Sequence, residues 1–437
     1  MLYLFAEERP RSTGRGGTRR GLPRRGLVVL VADELDGLDI GERIQAIRER
    51  KGKSRPVVAG LVGRSTEWLK SVEKGKRGAP DIHMLIKLGE VLGVLDLSEL
   101  TGDDTIRMGL ERRSGHPVVA DMRDAIESVA LAASSGVPPH PDDLLARTAE
   151  AWTLWHTSAS PRASVGTVLP QIIRDGRRAV RVLDGKDRRR AYTALSGAYA
   201  LSEQVLAWVA DSALLWLVAD RCMGAAQQAD DPETMASAAW VLGNVWRATG
   251  REEEAWHLVD DGAALLEPQL NDGPDSTRAL WGACRLHASI TLARMGREGD
   301  ALRGLDDAAE MAERIPERYA HPWTLFGRAN AALTGVSVQV DLRKNGTALE
   351  YASQIDPDAI PSVDRRARLW LETSRAYQQR GDATSALHVL EKATRISTES
   401  MASHPLSRGI AGWLVTSGGR LVERDARALA IRIGVNV

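Results

Sequence analysis

The chain has 437 residues, 43% of them hydrophobic and 27% charged, with 58 basic residues balanced by 58 acidic ones. That length exceeds one compact core and asks for several domains or a repeat array. No apolar stretch approaches the roughly 20 residues of a bilayer span, and Gly26 to Ala32 is too short for a signal peptide, so a cytoplasmic protein without a membrane partner is expected. Only Cys222 and Cys284 occur, which excludes a disulfide framework; both read as small buried hydrophobes.

Residues 1–38 mix Arg9, Arg11, Arg15, Arg19, Arg20, Arg24 and Arg25 with Gly, Pro, Ser and Thr, a composition that cannot bury enough apolar surface to order itself. Two readings stand: a basic arm that follows nucleic-acid phosphates, or a start codon assigned too far upstream. From Ile40 onward the apolar spacing is helical, Gly and Pro punctuate the turns, and no alternating β-branched run appears, so the fold class is all-α.

The first helix, Ile40 to Arg50, sets Ile40, Ile44 and Ile47 on one stripe and Arg43, Arg48 and Arg50 outside it. Ser54 is placed to cap a second helix with Pro56 in its first turn. Gly63 supplies a sharp turn, and Ser65 caps a third helix running to Lys74 with Leu69 and Val72 inward. Short helix, glycine turn, short helix is the helix-turn-helix arrangement. An apolar fourth helix follows over Ile82 to Leu92, within a small five-helix domain spanning residues 39–100. Between Ile40 and Pro80 eleven basic residues face four acidic ones, a net +7 on a chain whose remainder is therefore −7. A basic module on an acidic body is the charge pattern of a domain that docks on phosphates.

Ala59, Gly63, Leu69, Val72, Glu73, Gly75, Lys76 and Pro80 resemble, at fixed offsets, the XRE (Cro/C1-type) helix-turn-helix family. The resemblance implies that the third helix enters the major groove of double-stranded DNA. Ser65, Thr66, Glu67, Lys70 and Ser71 then become candidate base readers, with Glu67 placed to accept from a cytosine amino group. Arg55, where the family commonly has glutamine, is assigned to a phosphate or a guanine edge; Lys74, Lys76 and Arg77 are assigned to the phosphate backbone. Leu69, Val72, Ala59 and Gly63 read as packing residues, and Glu73 as a structural partner for a nearby arginine such as Arg43. Trp68 is open between packing on the fourth helix and touching the DNA backbone or a partner subunit.

Residues 101–140 read as a linker or hinge containing a helix, broken around Gly102 to Asp104, Ser114 to Pro117 and Ser134 to Asp142. Beyond it, residues 141–437 look like stacked helix pairs. With Ala236 as position one, Leu242, Gly243, Trp246, Ala255, Val259, Ala263 and Pro268 fill the packing positions of a tetratricopeptide repeat. Weaker registers pass through Tyr199 to Met223, Ala288 to Ala308, Ala348 to Ile355 and Tyr377 to Ala393, at wider spacing than the standard period. The first helix of each pair should line a concave surface. That places Trp240, Asn244 and Arg247 there, with Gln204, Asn330, Arg368, Arg375 and Gln378 at equivalent positions, either as peptide-binding groups or as a solvated polar face. Trp216, Trp246, Trp281 and Trp370 read as core wedges.

An XRE-type head before tetratricopeptide-like repeats resembles the Gram-positive peptide-responsive regulators of the Rgg, PlcR and PrgX type. The resemblance implies a quorum-sensing logic, in which a signalling peptide in the repeat groove shifts a DNA-bound homodimer. The nine histidines are dispersed without metal-ligand spacing, and no phosphate loop or nucleophile elbow appears, so neither catalysis nor a cofactor is expected. The rival reading is a protein-interaction scaffold with a vestigial head.

Overall fold

The computed structural model describes residues 38–92, 94, 97–102, 116–129 and 137–435, and every element among them is helical. The arginine-rich start and much of the expected linker, over 103–115 and 130–136, lie outside the described residues. The chain divides into two compact units, Met1–Leu110 and Glu111–Val437.

Unit one contains α1 (Ile40–Arg50), α2 (Arg55–Leu61), α3 (Thr66–Glu73), α4 (Ile82–Leu92) and α5 (Leu97–Thr101). Each start is chemically marked. Asp39 caps α1 in a reciprocal box, its Oδ1 accepting from the Glu42 amide at 2.8 Å while Glu42 accepts from the Asp39 amide at 3.0 Å. Ser65 caps α3 by accepting from the Trp68 amide at 3.1 Å. Ser54 occupies the cap position of α2 without a side-chain bond, and Pro56 sits in that helix's first turn. Gly63 adopts φ +71°, a left-handed conformation any side chain would strain, and this turns α2 into α3. Ile44, Ile47, Val58, Ala59, Leu69, Leu88, Leu92 and Leu100 are buried together as the core.

Unit two contains α6 (Val118–Glu127), α7 (Pro141–Thr157), α8 (Pro161–Gly166), α9 (Leu169–Val182), α10 (Gly185–Leu206), α11 (Ser212–Ala229), α12 (Pro232–Ala248) and α13 (Glu252–Ala264). It continues with α14 (Asp275–Arg294), α15 (Glu298–Glu313), α16 (Arg328–Asp341), α17 (Asn345–Gln354), α18 (Val363–Gln379), α19 (Ala383–Ile396), α20 (Thr398–Ser403), α21 (Pro405–Ser417) and α22 (Glu423–Arg432). The helix expected within 101–140 is α6, whose Val118, Met122, Ala125 and Ile126 are buried in the unit's first core.

From α10 onward antiparallel pairs stack side by side. α10, α12, α14, α16, α18 and α21 pack in series as one layer, with α11, α13, α15, α17, α19 and α22 behind them. One turn recurs at corresponding places. Gly250, Gly296 and Gly381 follow α12, α14 and α18 at φ +79°, +76° and +77°, and the next amide reaches back into the helix each time. After α16 the same turn is made by Arg343 at φ +63°. Small residues set the spacing between pairs: Gly262 lies against Ala236 and Ala239, and a Cβ on Gly282 would strike the ring of the fully buried Phe326. Ala255, Val259, Ala263, Ala301, Ala308, Ala386, Leu390 and Ala393, assigned to packing from the sequence, are all buried. Cys222 and Cys284 are buried too, and burial pushes both thiols up to about 12.

The array curls until its beginning meets its end. α18 touches α7, and α20 touches α8. There the Glu399 carboxylate accepts from the Arg162 amide at 2.8 Å and the Ala163 amide at 3.0 Å, and lies 3.3 Å from His116 Nε2. Ser397 donates to the Ala159 carbonyl at 2.7 Å. The long connection from α15 to α16 also crosses to the inner helices. Trp323 stacks on Trp152 of α7 with centroids 6.1 Å apart, and His156 Nε2 lies 3.0 Å from the Pro322 carbonyl oxygen.

Candidate functional site

In unit one, α3 buries Leu69, Val72 and Glu73 and leaves Thr66, Glu67 and Lys70 exposed, with Ser71 half-buried beside them. Ser65, Lys74, Lys76 and Arg77 are exposed on the turns at either end. Ser65, Glu67 and Ser71 line one open depression of about 550 Å³ with Gly63, Arg64, Trp68 and Arg77. Thus eight of the nine sequence-assigned residues sit on α3 and its flanks, and four of them share one hollow. Lys70 Nζ lies 3.4 Å from Glu67 Oε2, an exposed pair that either member can leave for another partner. The Ser65 oxygen accepts from Trp68, which leaves its hydroxyl proton and a second lone pair for another partner.

Arg55 departs from its assignment. Its Nε donates to Glu73 Oε2 at 2.5 Å, beneath α3 and away from the exposed face. Glu73, fully buried, also receives Arg48 Nε at 2.5 Å and Arg48 Nη2 at 3.1 Å. The structural role read for Glu73 therefore holds, but its partners are Arg48 and Arg55. Arg43 instead donates to the carbonyls of Leu38 at 2.9 Å and Glu99 at 3.4 Å. Arg43 and Arg48, placed outside by periodicity, are buried, and Lys53 donates to the Val91 carbonyl at 2.9 Å. Four of the eleven basic residues between Ile40 and Pro80 thus serve the head's interior. The Glu73 hydrogen bond holds the Arg48 guanidinium above its ordinary range despite burial.

Trp68 is half-buried against the head core, and the Arg64 guanidinium lies 5.6 Å from its ring centroid on the side of the hollow. Sequence reasoning passed over Arg64. Its signal was a basic side chain in the turn just before the third helix, where the chain must approach any groove the helix enters.

In unit two, the inner layer gathers most of the residues assigned to a concave surface. Gln204 Nε2 donates to Glu203 at 2.6 Å; Asn244 Oδ1 accepts from Arg247 Nη2 at 2.7 Å and His287 Nε2 at 3.1 Å. Trp240 packs edge-on against His287 at 5.8 Å. Further along, Arg375 donates to Asp341 at 2.6 Å and Glu372 at 3.3 Å, while Arg368 forms an ion pair with Glu372 at 2.7 Å and donates to His404 Nε2. Asn330 has a buried Oδ1 without a hydrogen-bond partner, and Gln378 is half-buried on α18. Burial pushes the Glu203 carboxyl up to about 7 and, with Arg294 nearby, the Arg247 guanidinium down to about 9. Burial and cationic neighbours hold His287 and His404 well below the usual imidazole range, hence neutral. Trp216, Trp246, Trp281 and Trp370 are half-buried wedges, with Arg251 4.4 Å from the Trp246 centroid and Lys392 Nζ 3.5 Å from that of Trp370.

Among the described residues no cluster of His, Cys, Asp or Glu could hold a metal ion, and no helix is long and apolar enough to cross a membrane. No curated protein matches the chain. Residues 39–101, which enclose α1 to α5 and the whole exposed face of α3, match the sequence family described as "Helix-turn-helix domain", and that module supports DNA binding by this chain.

Proposed function

We propose that this protein is a sequence-specific transcription regulator, acting as a homodimer, whose tetratricopeptide-like repeats sense a ligand such as a short peptide. The observation that carries the reading is the division of α3 into a buried apolar face and an exposed polar one. Thr66, Glu67, Lys70 and Ser71 supply donors and acceptors at the height of a base edge, and Lys74, Lys76 and Arg77 supply phosphate contacts beside them. Heads of this kind read paired half-sites about one helical turn apart, which is the reason to expect a dimer. The ligand-sensing part rests on the polar inner layer of unit two, where Gln204, Asn244, Arg247, Arg368 and Arg375 make hydrogen bonds and ion pairs on the inner helices. The reading involves no catalysis, no cofactor and a location in the cytoplasm.

Genome-wide footprinting with the full chain at physiological salt tests it, followed by anisotropy titrations on the recovered sites. Paired sites are expected. Lys76→Ala and Arg77→Ala should each weaken binding evenly across sequences and flatten the salt slope by about one ion, whereas Glu67→Ala should relax preference at one base pair. Competition by random DNA as strong as by any genomic fragment would refute it and favour a scaffold with a vestigial head.

A further inference from the structure

The inner layer of unit two is unevenly paired. Asp341 is shared by Arg375 at 2.6 Å and Arg294 at 3.4 Å, and Glu372 by Arg375 at 3.3 Å and Arg368 at 2.7 Å. Three guanidinium groups therefore divide two carboxylates. Arg247 is worse served. Its hydrogen bonds go to neutral oxygens only: Asn244 Oδ1 at 2.7 Å, Thr291 Oγ1 at 3.2 Å and the His287 carbonyl at 3.5 Å. No carboxylate of the described residues forms an ion pair with it. Asp341 and Glu203 act on its charge from beyond ion-pair distance, and Glu203, with its carboxyl at about 7, carries only part of a charge at neutral pH.

A half-buried guanidinium that meets only neutral acceptors gives up hydration without an opposite charge in contact, and a methionine of similar reach would fill the space without that cost. A charge kept under such conditions is the mark of a site held ready for the opposite charge. The guanidinium fork suits two oxygens of one planar or tetrahedral anion, and Arg247 uses only part of its five N–H groups. Trp240, half-buried and edge-on to His287, stands one helical turn before Asn244 on α12 and offers an apolar wall.

We propose that the inner face of the repeat unit around Arg247 binds the oxyanion of a small ligand, a carboxylate or phosphoryl group, with Arg294 and Arg368 adding long-range attraction. This names the ligand chemistry of the sensing surface proposed above and rests on that reading. The ligand's anion supplies the charge that Asp341 and Glu372 leave unbalanced.

Thermal unfolding of the full chain in sodium phosphate and in sodium acetate, against sodium chloride at matched ionic strength, tests the site. One or both salts should raise the midpoint of the repeat unit by about 2 °C at tenfold excess over Kd. A response to phosphate alone assigns a phosphoryl group, and to acetate alone a carboxylate. Arg247→Met should abolish the rise and unfold in chloride no lower than the wild type; Arg247→Lys, keeping charge without the fork, should shrink it. Lys76→Ala should keep the rise while losing DNA affinity, which separates this site from the phosphate contacts of the head. Absence of any shift in both salts, an undiminished shift in Arg247→Met and Arg247→Lys, or a wild-type Arg247 needed for stability in chloride would overturn the proposal. DNA binding on the same samples distinguishes the failures: lost site preference with an intact anion shift fails the regulator, and the reverse fails the anion site.

Discussion

Replacing Glu73 by alanine should come close to unfolding the helix-turn-helix head. The carboxylate is fully buried and accepts three hydrogen bonds, two from Arg48 and one from Arg55, at 2.5, 3.1 and 2.5 Å. Arg48 has a side chain only 6% exposed, so it cannot turn to water, whereas Arg55 at 30% can. Removing one partner of a buried pair leaves the other charge uncompensated, at about 3–5 kcal/mol. A domain of some 60 residues is stable by only about 3–9 kcal/mol. Glu73→Ala therefore removes a large part of what holds α1 to α3. Hydrogen exchange of the full chain reads this directly: a 3 kcal/mol loss accelerates globally protected amides of α1 and α3 about 100-fold, since each 1.36 kcal/mol is a factor of ten. The double substitution Arg48→Met with Glu73→Leu, which removes both charges, should recover most of the protection. Acceleration below about tenfold in Glu73→Ala, or a double variant no better than the single, would show that the pair does not hold the head together.

Four other substitutions probe unit two. Glu399→Ala removes the acceptor of the Arg162 and Ala163 amides and should cost about 1–2 kcal/mol in denaturant unfolding, with a larger radius of gyration as the two ends of the array part. Gly282→Ala drives a methyl into the Phe326 ring and should destabilise the unit by about 1–3 kcal/mol or more, read from its thermal midpoint. Arg343→Gly relieves a left-handed backbone and should stabilise by about 1 kcal/mol in the same assay, as the glycines at 250, 296 and 381 already do at their turns. Glu203, with its carboxyl at about 7, binds its proton more tightly folded than unfolded. Its contribution therefore falls as pH rises from the usual carboxyl range to about 7, and Glu203→Gln should stabilise above pH 7 and be neutral near pH 4. His156 and His321, at about 4, act in the opposite sense, so a pH titration of unfolding should show unit two losing stability as pH falls from 6.5 to 4.

The exposed face of α3 was legible because its determinants are local. A capping serine at 65, a glycine at 63 able to take φ +71°, and apolar residues at 69 and 72 act within a few positions of one another. The fates of Arg43, Arg48, Lys53 and Arg55 were not legible. Long cations are mostly exposed, so periodicity assigned them outward, but the groups that receive them lie 5 to 56 positions away, before α1 or on other helices. A basic count in a window records charge without recording what that charge already holds.

The same distinction runs through unit two. Its sequence by itself determined the helices and the small residues on which they stack, because a 3.6-residue period and a glycine at a turn are properties of neighbouring positions. Only the tertiary structure decided that the array curls back on itself, since Glu399 meets the start of α8 more than 230 residues away along the chain. It also decided that Arg247 forms no ion pair among the described residues, because charge pairing depends on distances between helices that no spacing along one helix contains.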